Sequence, residues 1–306
     1  MRPSHPSPIA SVALDVSRRP AGTADLERRT ITAVVYAVVV LAAVLAPWPV
    51  FAILVAILAV LGYFELRALF RYRPYQPWLI GVVFVLLFIA AHLYGAGSPS
   101  ELTVWTALVL VAFGVVAILV WIAEAIRRRP YPAVLGAVFT LAGALYLGFG
   151  FGFLVELRLA EADGTRGWLG TLPVWLLLAI IPTWVGDSVA YLVGSRIGRT
   201  KIVPQISPGK TWEGTLAGFG AAAVTALLIA VSAGTQAGSA LLVAALVGPV
   251  GFAGDLFESA LKRAAGVKDS GTLFPGHGGV LDRIDSLVLV APAVAFALWI
   301  ARGAYL

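Results

Sequence analysis

Between Ser259 and Asp285 the chain reads SALKRAAGVKDSGTLFPGHGGVLDRID, a polar block set between two strongly apolar stretches. Charged residues make up only 12% of the chain. Yet Lys262, Arg263, Lys268, Asp269, His277, Asp282, Arg283 and Asp285 all fall in this one segment. Carboxylates that hold a divalent cation, side chains that neutralise phosphate and glycines that let backbone amides approach an anion are the parts of a phosphate- and metal-handling site.

The spacing assigns candidate roles. On a helix Asp255, Ser259 and Lys262 recur at four- and three-residue steps and share a face, with Glu258 flanking it. Asp255 then sits about two turns from Lys262, in or at the edge of the apolar run. A carboxylate there is costly unless paired or metal-bound, which makes it a functional candidate. An ion pair with Lys262 or Arg263 is the plainer alternative. Asp282 and Asp285 are three apart and share a face if a helix already starts there. With Asp255 they make a three-carboxylate site for one or two divalent cations. Helix capping by Asp282 would explain one aspartate but not both. Between them, Gly271, Pro275, Gly276, Gly278 and Gly279 make a tight loop suited to close approach of a phosphate. Lys262, Arg263, Lys268 and Arg283 are the cations to neutralise it, and His277 is placed to donate to a phosphate oxygen or move a proton. A basic loop resting on anionic lipid headgroups is the bland alternative.

A second block, DSVAYLVGSRIGRTKIVPQISPGKTWEG, begins at Asp187. Asp187 lies within an apolar run. Ser207-Pro208-Gly209-Lys210 lacks the spacing of a Walker phosphate loop. Thr211 to Gly214 opens a helix whose free amides attract anions. Ser207 or Thr211 as a simple helix cap stays open. Glu213 stands in that first turn.

The elements that must carry these groups are membrane helices. The chain is 60% hydrophobic with mean hydropathy +0.92, and runs such as ITAVVYAVVVLAAVLA are apolar on every face, unlike the alternating strands of a barrel. The expected fold is an all-α polytopic membrane protein of about nine transmembrane helices. The spans are expected near 30–46, 48–66, 77–95, 102–124, 133–155, 171–194, 212–232, 239–261 and 284–302. Residues 1–29 read as a disordered cytosolic tail, 30–170 as the N-terminal and middle helices, and 171–306 as the C-terminal catalytic part. With the N-terminus cytosolic and the C-terminus outside, all of the 22 lysines and arginines except Arg158, Arg166 and Arg302 fall on the cytosolic side, as the positive-inside rule requires. Both polar blocks then face the cytosol and can build one site. Glu65 and Glu124 near cytosolic span ends read as structural or interfacial, and His92 as part of an interfacial belt. Glycine-rich stretches at 148–154 and 214–220 suggest close helix packing.

The chain has no cysteine, which excludes disulfides, thiolate zinc and a cysteine nucleophile. Hard carboxylates favour magnesium or manganese. The basic residues are spread over loops, so the net charge of +6 is no nucleic-acid footprint.

These residues resemble the phosphatidate cytidylyltransferase family, also called CDP-diacylglycerol synthases. Its pattern is Ser-x-apolar-Lys-Arg, four residues, Lys-Asp, a short loop into His-Gly-Gly, then apolar, x, Asp-Arg-apolar-Asp. Ser259 to Asp285 matches at every defined position. The upstream block with Asp187 and Ser207 to Gly214 is also similar. Gly209 departs from it, standing where many relatives carry a second lysine, which weakens one expected phosphate contact. The resemblance is specific over about 185–286. It implies the reaction CTP + phosphatidate → CDP-diacylglycerol + pyrophosphate, with CTP and phosphatidate as partners at the membrane and no nucleic acid. It implies magnesium held by Asp255, Ser259, Asp282 and Asp285, paired with potassium. Lys262, Arg263, Lys268, His277 and Arg283 would be the catalytic cations and proton donor. Asp187, Ser207, Lys210, Glu213, Asp269, Gly278 and Gly279 would bind substrate. The resemblance further implies a homodimer with the site near the cytosolic leaflet of the cell membrane. Rival expectations are a CDP-archaeol synthase, a polyprenol kinase using CTP as phosphoryl donor, or a cation-coupled transporter using Asp187 and Asp255. The transporter would need an acidic relay toward the outer face or an inverted repeat, and neither is visible.

Overall fold

The computed structural model describes residues 23–70, 76–95, 99–126, 131–160, 172–274, 278–301 and 303. Among them the chain is almost wholly helical. In order the helices are α1 (Thr23–Leu45), α2 (Trp48–Leu69), α3 (Trp78–Gly95), α4 (Pro99–Ile126), α5 (Tyr131–Leu159), α6 (Val174–Ile197), α7 (Trp212–Ala233), α8 (Ala237–Ala264), the short α9 (Leu281–Ile284) and α10 (Leu287–Ala301). Isolated bridges join Lys201 to Thr211 and Phe274 to Gly278. Seven stretches are long and apolar enough to cross a bilayer: α2, α3, Val134–Leu159 of α5, α6, α7, α8 and Leu281–Ile300. The described parts of α1 and α4 add shorter apolar pieces, Val34–Leu45 and Val104–Val120. Val35, Val38, Leu108, Val111, Leu228 and Val231 are all exposed. Apolar faces of that extent suit hydrocarbon rather than water, and the chain is a multi-pass membrane protein.

The observed helices follow the expected spans closely. α1 starts at Thr23 rather than near 30, because Ala24, Leu26, Glu27, Arg28 and Arg29 are good helix formers that extend the helix backward beyond the apolar run. Residues 1–22 of the expected tail lie outside the described residues. The last expected span is two helices, with a turn at Asp285 and Ser286.

Small residues let these helices meet. Gly186, Ala190 and Gly194 on α6 face Gly214, Gly218 and Ala222 on α7, and a methyl at Gly214 would stand 2.5 Å from the Ala190 carbonyl. This is the small-residue packing of membrane helices. On α5, Gly148 abuts Val85 and Phe88, Gly150 abuts Val288, and Gly152 makes room for His92. His92 is therefore fully buried, not interfacial: it bonds the Phe88 carbonyl at 2.8 Å and packs among Phe149 and Phe153. At the far end of the bundle Trp299 donates to Glu156 at 2.8 Å. α6, α8 and α10 each hold an internal proline, Pro182, Pro249 and Pro292, tolerated where neighbouring helices satisfy the freed backbone. α7 and α8 pack together, and α10 packs on α8, α6 and α5. These contacts bring the two polar blocks to one place.

Candidate active site

A cavity of about 490 Å³ opens between α1, α6, α8 and the start of α9. Its polar lining is Asp187 and Ser188 from α6, Lys210 from the loop before α7, Asp255 from α8, and Asp282, Arg283 and Asp285 from the α9 segment. Tyr36, Trp184 and Phe274 supply an aromatic wall, with Tyr36 lying 5.9 Å from each of the other two rings. The Tyr36 hydroxyl donates to the Arg283 carbonyl at 3.4 Å.

Lys210 is the hinge of the arrangement. It forms an ion pair with Asp255 and lies 5.6 Å from the centre of the Phe252 ring. Burial works to lower its pKa, but the charges of Asp255, Asp187 and Asp285 outweigh that and raise it above the usual lysine value. The ammonium therefore stays charged. Asp255 also accepts from the Ser259 hydroxyl at 3.2 Å. The cation that meets Asp255 is thus Lys210, across the gap between helices, and neither Lys262 nor Arg263 of its own helix.

A second cavity, about 610 Å³, lies on the other side of Lys210. It is lined by Asp187, Tyr191, Ser195, Lys201, Ser207 and Thr211 among others. Asp187 and Lys210 belong to both. The loop between α6 and α7 is held by Glu213, whose carboxylate accepts the Arg199 amide at 3.1 Å and the Thr200 amide at 3.2 Å. Thr211 caps α7 through Gly214 at 3.3 Å. Glu213 therefore acts on its own loop.

Much of the Ser259–Asp285 block is likewise spent internally. Lys262 is buried between Glu258 and Asp282, bonding Asp282 at 2.6 Å. The other Asp282 oxygen accepts from the Ser270 amide at 2.8 Å, the Ser270 hydroxyl at 2.8 Å and the Gly279 amide at 2.7 Å. Arg263 donates to the carbonyls of Ile206 at 3.1 Å and Val267 at 2.6 Å, so it ties the two polar blocks together. Gly278 has φ +80° and crowds Asp282, while Gly279 and Gly271 crowd Glu65. The close approach these glycines permit is to carboxylates of the protein, where a phosphate was expected. Lys268 and Asp269 are exposed, outside the lining of either cavity. His277 lies outside the described residues.

Two groups in the first cavity are left with capacity. Arg283 Nε is buried with no hydrogen-bond partner among the described residues. Among the described residues Asp285 accepts one hydrogen bond, from the adjacent Ser286 amide at 2.7 Å. Among the described residues no three His, Cys, Asp or Glu side chains already converge as a metal cage. The polar wall instead sets four aspartates against Lys210 and Arg283. Such a wall repels a polyphosphate unless cations join it. Magnesium needs only one or two protein carboxylates and completes its shell with water and substrate phosphate, so the donor set fits it, with Asp255 and Asp285 as the carboxylates best placed. Asp282 touches the cavity, but four donors already crowd its two oxygens, against the two that Asp255 receives from Lys210 and Ser259 among the described residues.

Sequence reading missed Tyr36, Trp184 and Phe274. Trp184 had a faint signal, one turn before Asp187, whereas Tyr36 sits in an apolar run with nothing to mark it.

A family model described as the cytidylyltransferase family matches residues 27–301. The phosphatidate cytidylyltransferase of Bacillus subtilis (strain 168) is 32% identical over 282 residues, covering 90% of this chain and 98% of its own. That of Staphylococcus aureus (strain COL) is 31% identical over 274 residues, covering 88% and 98%. A protein of Escherichia coli (strain K12) called uncharacterized protein YnbB is 48% identical over 124 residues, covering 40% of this chain and 41% of its own.

Proposed function

The chain belongs to the cytidylyltransferase family, and we propose that it transfers the cytidylyl group of CTP to phosphatidate at the membrane surface. The observation that carries this reading is the cavity at the end of the bundle, where four aspartates, Lys210 and Arg283 meet beside an aromatic wall. A non-bridging oxygen of the lipid phosphate attacks the α-phosphorus of CTP. The bond from that phosphorus to the bridging oxygen of the β-phosphate breaks, and pyrophosphate leaves with the electron pair. The lipid phosphate is already ionised near neutral pH, so no protein nucleophile is required.

Both reactants are anions, so the main tasks are to suppress repulsion and to align them. Lys210 offers a fixed positive charge at the boundary of the two cavities, and Arg283 offers a guanidinium whose Nε has no hydrogen-bond partner among the described residues. Asp255 and Asp285 would hold magnesium, with Ser259 steadying Asp255 and potassium as the partner ion that the family resemblance implies. Bound magnesium would neutralise the phosphate oxygens and stabilise charge developing on the leaving pyrophosphate. The aromatic wall of Tyr36, Trp184 and Phe274 excludes water from one side. The site faces the cytosol in this reading, in keeping with the bias of lysine and arginine toward the loops that build it.

The test is an assay with labelled CTP, phosphatidate and magnesium in sealed vesicles of known orientation. CDP-diacylglycerol and pyrophosphate should appear only when CTP is on the cytosolic side, and a chelator should stop them. Release of CDP with a further phosphorylated lipid would mark a kinase instead. Turnover from CTP on the outer side would overturn the orientation.

A further inference from the structure

We propose that Glu65 is a positioning residue for this site, holding the glycine loop in register from a helix far away in sequence. Glu65 lies in the last turns of α2. One carboxylate oxygen accepts the Val280 amide at 2.9 Å, and the other accepts the Leu281 amide at 3.0 Å and the Ser270 hydroxyl at 3.1 Å. Val280 and Leu281 open α9, which has no side-chain cap of its own. Helix-opening amides left bare are unsatisfied donors, and a carboxylate is their strongest partner. Glu65 is thus a cap supplied by a different helix.

The fit is built from both sides. A methyl at Gly271 would stand 2.6 Å from a Glu65 oxygen, and one at Gly279 would overlap the carboxylate outright. These glycines let the loop close around Glu65. The Ser270 hydroxyl also reaches Asp282 at 2.8 Å. It has one proton, so it serves one of the two carboxylates at a time. Glu65, Ser270, Asp282 and Lys262 therefore form a continuous chain from α2 to α8. At its end the backbone delivers Arg283 and Asp285 to the cavity. Glu65 itself does not line that cavity. It acts through the loop.

The inference rests on the proposed transfer reaction for its kinetic arm only. Glu65→Gln keeps the shape but replaces one acceptor with a donor that faces an amide proton. With purified protein, kcat for CDP-diacylglycerol formation should fall at least tenfold while the KM for CTP changes by less than about threefold. Amide hydrogen exchange should rise over 270–284 and stay unchanged in α6 and α7. Wild-type kcat in this variant overturns the proposal, as does a rise in exchange throughout the bundle. Ser270→Ala, which removes a single oxygen, is the second variant. It should lower kcat by a smaller factor, and the double variant should lose less than the product of the two single losses; independent, multiplying losses would contradict the shared route. If the wild-type protein makes no CDP-lipid, the reaction assignment fails. The exchange measurement then still decides whether Glu65 holds the loop.

Discussion

Asp282 and Asp285 are a helical turn apart and identical in chemistry, yet they belong to two different regions. On the Asp282 side lie Ser270, Gly279, Lys262, Glu258 and Glu65, a network in which the carboxylates are already met by Lys262, by backbone amides and by the Ser270 hydroxyl. On the Asp285 side lie Asp187, Lys210, Asp255 and Arg283, where carboxylates outnumber cations around open space. The first region is a scaffold, and the second is the one proposed to bind. The difference teaches that dense charge in a sequence marks where a protein must hold itself together as much as where it holds a ligand. The sparser upstream block, with its solitary Asp187 and Lys210, contributes more to the open cavity than Lys262, Arg263 or Lys268 do.

The sharpest way to break this comparison is to remove a cation from each side. Lys262→Ala leaves Glu258 and Asp282 buried without their partner, and an uncompensated buried charge typically costs about 3–5 kcal/mol. The variant should show a much lower thermal midpoint in detergent. Lys210→Ala, from a more open position, should lose turnover with a much smaller fall in midpoint. Equal midpoints for the two variants would erase the distinction. A smaller effect is expected from Glu213→Gln, which weakens the grip on the Arg199 and Thr200 amides. It should appear as faster amide exchange in 198–211 and a KM for CTP raised a few-fold.

The fold was legible because membrane helices announce themselves. Each span must be apolar for some 20 residues, and charge between spans then fixes the loops. Helix ends were read within a few residues except at α1, where a polar but helix-favouring stretch carries the helix back to Thr23. The candidate site was half legible. Short spacings correctly joined Ser259 to Asp255 and placed Asp282 and Asp285 on one segment. The pairing of Asp255 with Lys210 was not readable, because it depends on the packing of α6 and α7 against α8. Nor was the reach of Glu65 to Val280, which crosses most of the chain. His92 was misread for a related reason: the glycine that makes room for it, Gly152, lies on another helix. Local pattern reveals which groups are present, and only packing decides which of them neutralise one another.

The most direct test of the central claim is the rise in melting midpoint produced by magnesium and CTP together, compared between wild type and Asp285→Asn. Asn at 285 retains an acceptor for the Ser286 amide and relieves repulsion among the cavity carboxylates, so the ligand-free midpoint should be unchanged or slightly higher. In the wild type, ligand at about 100 times its Kd should add about 2.7 kcal/mol of stability, and the variant should gain little of it. A full ligand-induced rise in Asp285→Asn would contradict the account and return the metal to Asp282 or to residues elsewhere.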